Sequence, residues 1–208
     1  MSMACLANVT RYTDPDEYEL ILVSGDEKFP VRDDYHVLKI DQYIKTDLGY
    51  TGSMNLGAKK ASGEVLVFLQ NDVFVWEGWL SKMRYYIEEG IADCVIPDQV
   101  PRDRAFVRMA DGLSMESGMK YGSRDAGCLM ITRKAFDRMG GWNDKLSLLC
   151  EKDFYQRMNT FGIRQVDTCK VMISHIMAAS NLHRLHTKPE EYNQMMEHDA
   201  SILNKGGI

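Results

Sequence analysis

The sequence predicts an α/β domain in which a mostly parallel sheet is flanked by helices. Three observations carry that prediction. Glu64 to Leu69 (EVLVFL) is an apolar run behind one charge, long enough for a strand covered on both faces, and Gln70-Asn71-Asp72 ends it. Around it, strand-like and helix-like patterns alternate in the order that builds parallel sheets. With 208 residues, 45% of them hydrophobic and 26% charged, the chain suits one soluble domain, 1–208, with a sizeable core.

Taken in order, Ala4 to Tyr12 reads as a helix, Tyr18 to Val23 as a strand, Ser24-Gly25-Asp26 as a loop and Val37 to Ile40 as a short second strand. Gly49 and Gly52 mark a small-residue turn where backbone approaches something closely. Asn55 to Gly63 is then a short helix closed by Gly63, ahead of the strand that delivers Asp72. Trp76 to Glu89 carries Trp76, Leu80, Met83 and Ile87 at helical spacing, and Gly90 ends it. Ala92 to Pro97 reads as a strand, Pro101 to Tyr121 as a long polar loop of the kind that carries function, and Val171 to Ile173 as a strand. Glu190 to Leu203 is a terminal helix that Gly206-Gly207 cannot continue.

The net charge of −5, with no basic run interleaved with aromatics, argues against a nucleic-acid partner, because such proteins neutralise phosphates with clustered Lys and Arg. The five cysteines, Cys5, Cys94, Cys128, Cys150 and Cys169, form no C-x-x-C pair, which fits a reducing compartment. No signal-like segment or long apolar run is visible, so a cytoplasmic protein with no membrane span is expected. The 14 methionines are scattered and read as core filler.

An acid at the C-terminal end of a buried strand is how open α/β sheets place a metal or catalytic group at the sheet edge. An ordinary solvated strand end would use the same residue types. The wider pattern separates the two readings. Gly49, Gly52-Ser53, Asn55, Gly57, Ala61, Gly63 and the apolar strand ending in Gln70-Asn71-Asp72 resemble the nucleotide-sugar-binding core of the family 2-like glycosyltransferases of the GT-A fold. Asp125 to Phe136, Gly140-Gly141-Trp142-Asn143-Asp144, and Glu151-Lys152-Asp153-Phe154-Tyr155-Gln156-Arg157 with Gly162 are similar to that family's acceptor-side half. Together these blocks lie within Tyr18 to His175, in the family's order.

The resemblance implies a GT-A-like, Rossmann-related fold with a nucleotide-sugar-binding half, 1–100, and an acceptor-side half, 101–208. It implies an inverting transfer of a sugar from a nucleotide-diphosphate donor to a glycan or other hydroxyl acceptor, with Mn²⁺ or Mg²⁺ stabilising the departing diphosphate. Asp72 falls on the last acid of the family's Asp-x-Asp motif, whose first acid is Gln70 here. His175 falls where several relatives carry a further metal ligand, giving Asp72 and His175 as metal residues. Ser24, Asp26, Gly49, Tyr50, Asn55, Asn71 and Asp72 are the expected donor-binding residues, Ser24 replacing a family Asp and Asp26 its nearest substitute. Glu151 falls on the position of the general base, with Asp153 beside it as second catalytic candidate. As plain chemistry, both acids also suit a helix start, and Asp153 with Arg157 an i,i+4 ion pair. His183 and His186 lie on the following segment, where they would cover the diphosphate or decorate a solvated loop.

The first helix begins where family members have already passed a central strand, so that strand is expected to be missing and the base-binding side less complete than the metal side. This leaves a rival reading, a noncatalytic nucleotide-sugar or glycan-binding relative. A nucleotidyltransferase shares the sheet and metal logic but needs a Gly-rich phosphate loop with a basic residue, and none is visible. An oligomer is compatible with all of these.

Overall fold

The computed structural model describes residues 2–25, 38–100, 127–175 and 184–205. The elements are helix α1 (Ser2–Tyr12), strands β1 (Ile21–Ser24) and β2 (Gln42–Lys45), helix α2 (Gly49–Lys60), strands β3 (Val65–Leu69) and β4 (Val73–Phe74), helix α3 (Trp79–Glu88), strands β5 (Cys94–Val100) and β6 (Cys128–Thr132), helices α4 (Arg133–Arg138) and α5 (Cys150–Thr160), strand β7 (Gln165–His175) and helix α6 (Pro189–Lys205).

β1 and β2 pair in parallel as a separate two-stranded sheet. The larger sheet has the order β3-β6-β5-β7-β4. Within it β3, β5 and β7 run the same way while β6 and β4 run against them, so this sheet is mixed and β5–β7 is its parallel pairing. Pro97 has no N–H to give the ladder, and the β5–β7 register shifts between Pro97 and Asp98.

Alternation along the strands sends side chains to two cores. Leu66 and Phe68, Cys94 and Ile96, and Leu129 and Ile131 face one side, against Phe136, Trp142, Phe154 and Met158. Val95, Cys128 and Met130 face the other, with Val65, Val67 and Leu69 partly buried beside them, against Cys5 and Val9 of α1 and Trp79 and Met83 of α3. Helices thus cover both faces, as continuous apolar strands require. The first core is locked by aromatic contacts, Trp142 stacking on Phe154 at 4.0 Å and standing edge-on to Phe68 at 5.8 Å.

Several element boundaries differ from their sequence expectations for identifiable reasons. β1 begins at Ile21 rather than Tyr18, behind a short helical turn over Pro15–Glu17. The second strand is Gln42–Lys45, not Val37 to Ile40, and Val37 lies outside the described residues. Lys39 donates to the carbonyls of Pro15 and Tyr18 instead of joining a ladder. Asp41 then closes on Leu20 in both directions, its N–H donating to the carbonyl at 2.9 Å and its carboxylate accepting the Leu20 N–H at 2.8 Å. The segment from Gly49, expected as a turn, is already α2. That helix ends at Lys60 with Ala61 rather than Gly63 as its C-cap, where the Arg133 guanidinium donates to the carbonyls of Ala58, Ala61 and Gly63 at 3.0, 2.8 and 2.8 Å. α3 starts at Trp79, after Gly78 in the left-handed region. The Pro101 to Tyr121 loop lies outside the described residues.

Candidate active site

Because β3, β5 and β7 run together, their C-terminal ends share one edge of the sheet. Asp72 follows β3 there, and His175 is the last residue of β7. The antiparallel register of β4 on β7 sets Val73 opposite His175 and so draws the imidazole to the acid. His175 Nε2 lies 3.1 Å from Asp72 Oδ1, with the two residues 2% and 6% exposed. α1 backs this edge. The Cys5 thiol donates to the Gln70 carbonyl at 3.5 Å, and the Asn8 amide bridges Val75 both ways, accepting at 2.6 Å and donating at 3.2 Å.

Gln70 stands where the resemblance expects an acid, and its amide donates to the Tyr50 hydroxyl at 3.1 Å. The start of α2 is thereby tied to the tip of β3. Thr51 donates to the Leu146 carbonyl at 3.1 Å, and Asn55 closes a two-way bridge on Trp142, donating to its carbonyl and accepting its N–H, both at 2.8 Å. That bridge dictates the glycine before it. Gly141 sits at φ +76°, and a Cβ there would meet Asn55 Oδ1 at 2.7 Å. Of the expected donor-binding residues, Tyr50 and Asn55 therefore tie α2 to its surroundings, and Asn55 contacts the Gly140-Gly141-Trp142 turn directly.

Glu151 and Asp153 both lie in the first turn of α5, as their sequence suggests. Their surroundings differ. Asp153 is buried, and its Oδ2 takes Arg157 Nε at 2.8 Å and Nη2 at 2.7 Å. Arg157 also donates through Nη1 to the carbonyls of Met139 and Gly141, at 2.9 and 2.7 Å, so this pair fastens α5 to the Gly-Gly-Trp turn. Glu151 is half-buried and borders a cavity of about 410 Å³ with Leu148, Leu149, Lys152 and Tyr155. Asp72 and His175 do not line that cavity.

Ser24 ends β1, where its carbonyl accepts the Thr46 N–H at 3.0 Å, and Gly49 opens α2 at φ +71°. Asn71 is exposed in the turn closed by the Val73 N–H on the Gln70 carbonyl at 3.3 Å. Asp26 and His183 lie outside the described residues, and His186 is exposed in a helical turn at 184–187.

One residue that the sequence reading passed over is Asp199 of α6. It is 0% exposed, and its Oδ2 accepts the N–H groups of Ser147, Leu148 and Leu149 at 2.9, 2.6 and 2.9 Å. His198 Nδ1 lies 3.4 Å from its other oxygen. Burial alone would push this acid up, and the three backbone N–H groups with His198 outweigh it, holding the carboxyl below its ordinary value. The signal was present in the sequence, since Asp199 falls on the apolar stripe of Met195, Met196, Ile202 and Leu203.

Thiolate chemistry is not available at neutral pH in the described cysteines whose side chains are placed. Burial pushes Cys5 up to about 11 and Cys150 up to about 12, and raises Cys94 and Cys128 as well. A carboxylate and an imidazole in contact at a strand end are, by contrast, a donor set suited to a divalent cation of the Mn²⁺ type. Among the described residues there is no cluster of three metal-ligating side chains, so a cation here needs oxygens from a ligand or water as well.

The family model described as Glycosyl transferase family 2 matches residues 4–143. An O-antigen biosynthesis protein, RfbC, of Myxococcus xanthus is 26% identical over 206 residues, 82% of this chain and 16% of that protein. Among solved structures, the mannosyltransferase PcManGT from Pyrobaculum calidifontis, in complex with GDP-Man and Mn²⁺, superposes with a TM-score of 0.66 at 15% identity, covering 97% of this chain and 60% of that one. S. aureus TarS 1-349 in complex with UDP-GlcNAc gives 0.63 at 14% identity, covering 96% and 62%. The chain thus spans a small part of the curated relative and less than two thirds of these two solved chains. At those identities the structural likeness establishes the GT-A fold. No described helix is long and apolar enough to cross a membrane.

Proposed function

The chain belongs to glycosyl transferase family 2, and on that premise we propose that it carries out an inverting transfer of a sugar from a nucleotide-diphosphate donor to a hydroxyl acceptor, a glycan being the expected kind, with the aid of a divalent metal. The observation that carries this reading is the buried contact of Asp72 with His175 at the C-terminal edge of the sheet. Two such donors at the tip of the sheet would hold Mn²⁺, with Mg²⁺ a poorer match to the imidazole. Bound there, the cation would offset the charge that gathers on the departing nucleoside diphosphate. That two structural neighbours were solved with GDP-Man and UDP-GlcNAc, one of them with Mn²⁺, supports the choice of donor class and metal.

The remaining chemistry is a proton transfer. As the acceptor oxygen bonds to the anomeric carbon from the face opposite the diphosphate, its proton has to leave, and the Glu151 carboxylate takes it. Asp153 has a different role in this proposal. Its charge is held by Arg157, and it fixes the turn against which α5 starts. Tyr50 and Gln70 shape the donor side, with Ser24, Asp26, Gly49 and Asn71 as further donor contacts.

A second reading, a relative that binds nucleotide sugar or glycan without turning it over, is favoured by Gln70. An amide that donates to Tyr50 cannot serve as the second metal acid of the motif. The test is a panel of UDP-, GDP- and dTDP-hexoses with Mn²⁺, followed by thermal shift and by release of free nucleotide. Stabilisation with slow nucleotide release supports the transferase, and stabilisation without release supports the binding relative. No stabilisation by any member of the panel would contradict both.

A further inference from the structure

We infer that Asp199 is a positioning residue for the transfer, acting through Glu151 from the C-terminal helix; this rests on the proposal that Glu151 is the base. The three N–H groups that Asp199 gathers belong to Ser147, Leu148 and Leu149, the residues that lead directly into α5. Nothing local does that job. Leu149, which precedes the helix, has an apolar side chain and makes no side-chain cap bond. A fully buried carboxylate from another element therefore fixes where α5 begins, and Glu151 is the second residue of that helix.

The rest of the loop is pinned at its other end. Leu146 is held by Thr51 and Trp142 by Asn55, both from α2. Between those anchors and α5, Asp199 is the attachment that takes hold of consecutive backbone groups with one charge, and such bonds are the strong class. Catalytic efficiency is sensitive to displacement of this order, since a shift of about 1 Å in a reacting group costs on the order of 10²-fold in rate. Ile202 provides the comparison. It lies on the same helix and packs against the first core without touching the loop through hydrogen bonds.

The experiment compares Asp199→Asn, Asp199→Ala, Ile202→Ala, Glu151→Gln and the double variant Glu151→Gln with Asp199→Ala. The probes are the UDP-, GDP- and dTDP-hexose panel with Mn²⁺ and amide hydrogen exchange. Asp199→Ala is expected to speed exchange at Ser147, Leu148 and Leu149. It should lower kcat for nucleotide release by roughly 10- to 100-fold while donor affinity stays within about 3-fold. Asp199→Asn, which keeps an acceptor oxygen, should recover part of the rate. Ile202→Ala, compared at equal folded fraction, should do neither. In the Glu151→Gln background, Asp199→Ala should cost less than about 3-fold more, because the group it positions is already gone. Unchanged exchange at the loop, a loss equal to that of Ile202→Ala, or losses that multiply in the double variant would each overturn the inference. Full activity of Glu151→Gln would instead show that the base is elsewhere. Absence of release by the wild type would remove the catalytic premise.

Discussion

Glu151 and Asp153 share one helical turn, yet their neighbours differ. Asp153 is closed in by Arg157, whereas Glu151 borders an open groove along the helix. Glu151→Gln should therefore keep donor affinity within a few-fold and lower transfer by roughly 10²–10⁴, the usual contribution of a general base. Steady-state kinetics with a separate donor-binding measurement checks this, and equal losses in both would move the base away from Glu151. Arg157→Met should act on stability instead, by about 3–5 kcal/mol, because it leaves the Asp153 charge buried and unpaired. Chemical denaturation measures that cost. Gly141→Ala should cost about 2–4 kcal/mol on the same assay, since a Cβ would strain the left-handed backbone and press on Asn55. At this scale the sequence was readable where a residue's partner is close in the chain, as in Asp153 and Arg157. It was silent where the partner is distant, as in Asn55 with Trp142 or Gln70 with Tyr50.

Among the elements, the buried strand β3 and the helix α6 followed from local pattern, whereas α2 starts at Gly49 rather than Asn55 and α3 at Trp79 rather than Trp76, and the end of α2 and the place of β2 are set by long-range bonds. Arg133 ends α2 from outside it, and Lys39 and Asp41 take their segment out of the ladder that its apolar neighbours suggested. No local propensity contains those contacts. The attachment of α6 to the loop before α5 is of the same kind, and it has a pH signature. The Asp199 carboxyl is held below its ordinary value when folded, so its contribution is present above the unfolded value of about 3.9 and is lost as pH falls through the folded one. The difference in Tm between wild type and Asp199→Asn should be largest near neutrality and shrink below about pH 4. A difference that stays constant down to strong acid would mean that the charge is not what holds the loop.

For the whole molecule, the sequence established helices on both faces of a sheet, the strand that delivers Asp72 and the family itself. The strand order was not legible, because β6 enters between β3 and β5 from far along the chain. β1 and β2 stand as a sheet apart from the larger one. At the edge of the larger sheet, Asp72 and His175 are buried and in contact. The central claim is that Asp72 and His175 together hold the cation through which the donor diphosphate is bound. Calorimetric titration of the best-binding nucleotide sugar, with Mn²⁺ and with EDTA, into wild type and Asp72→Ala tests it most directly. The account predicts that chelation and the substitution each weaken binding at least about 10-fold, and that EDTA has no further effect on the variant, since both remove the same ligand-bridging charge. Donor binding by Asp72→Ala as tight as that of the wild type, with the same response to EDTA, would contradict it.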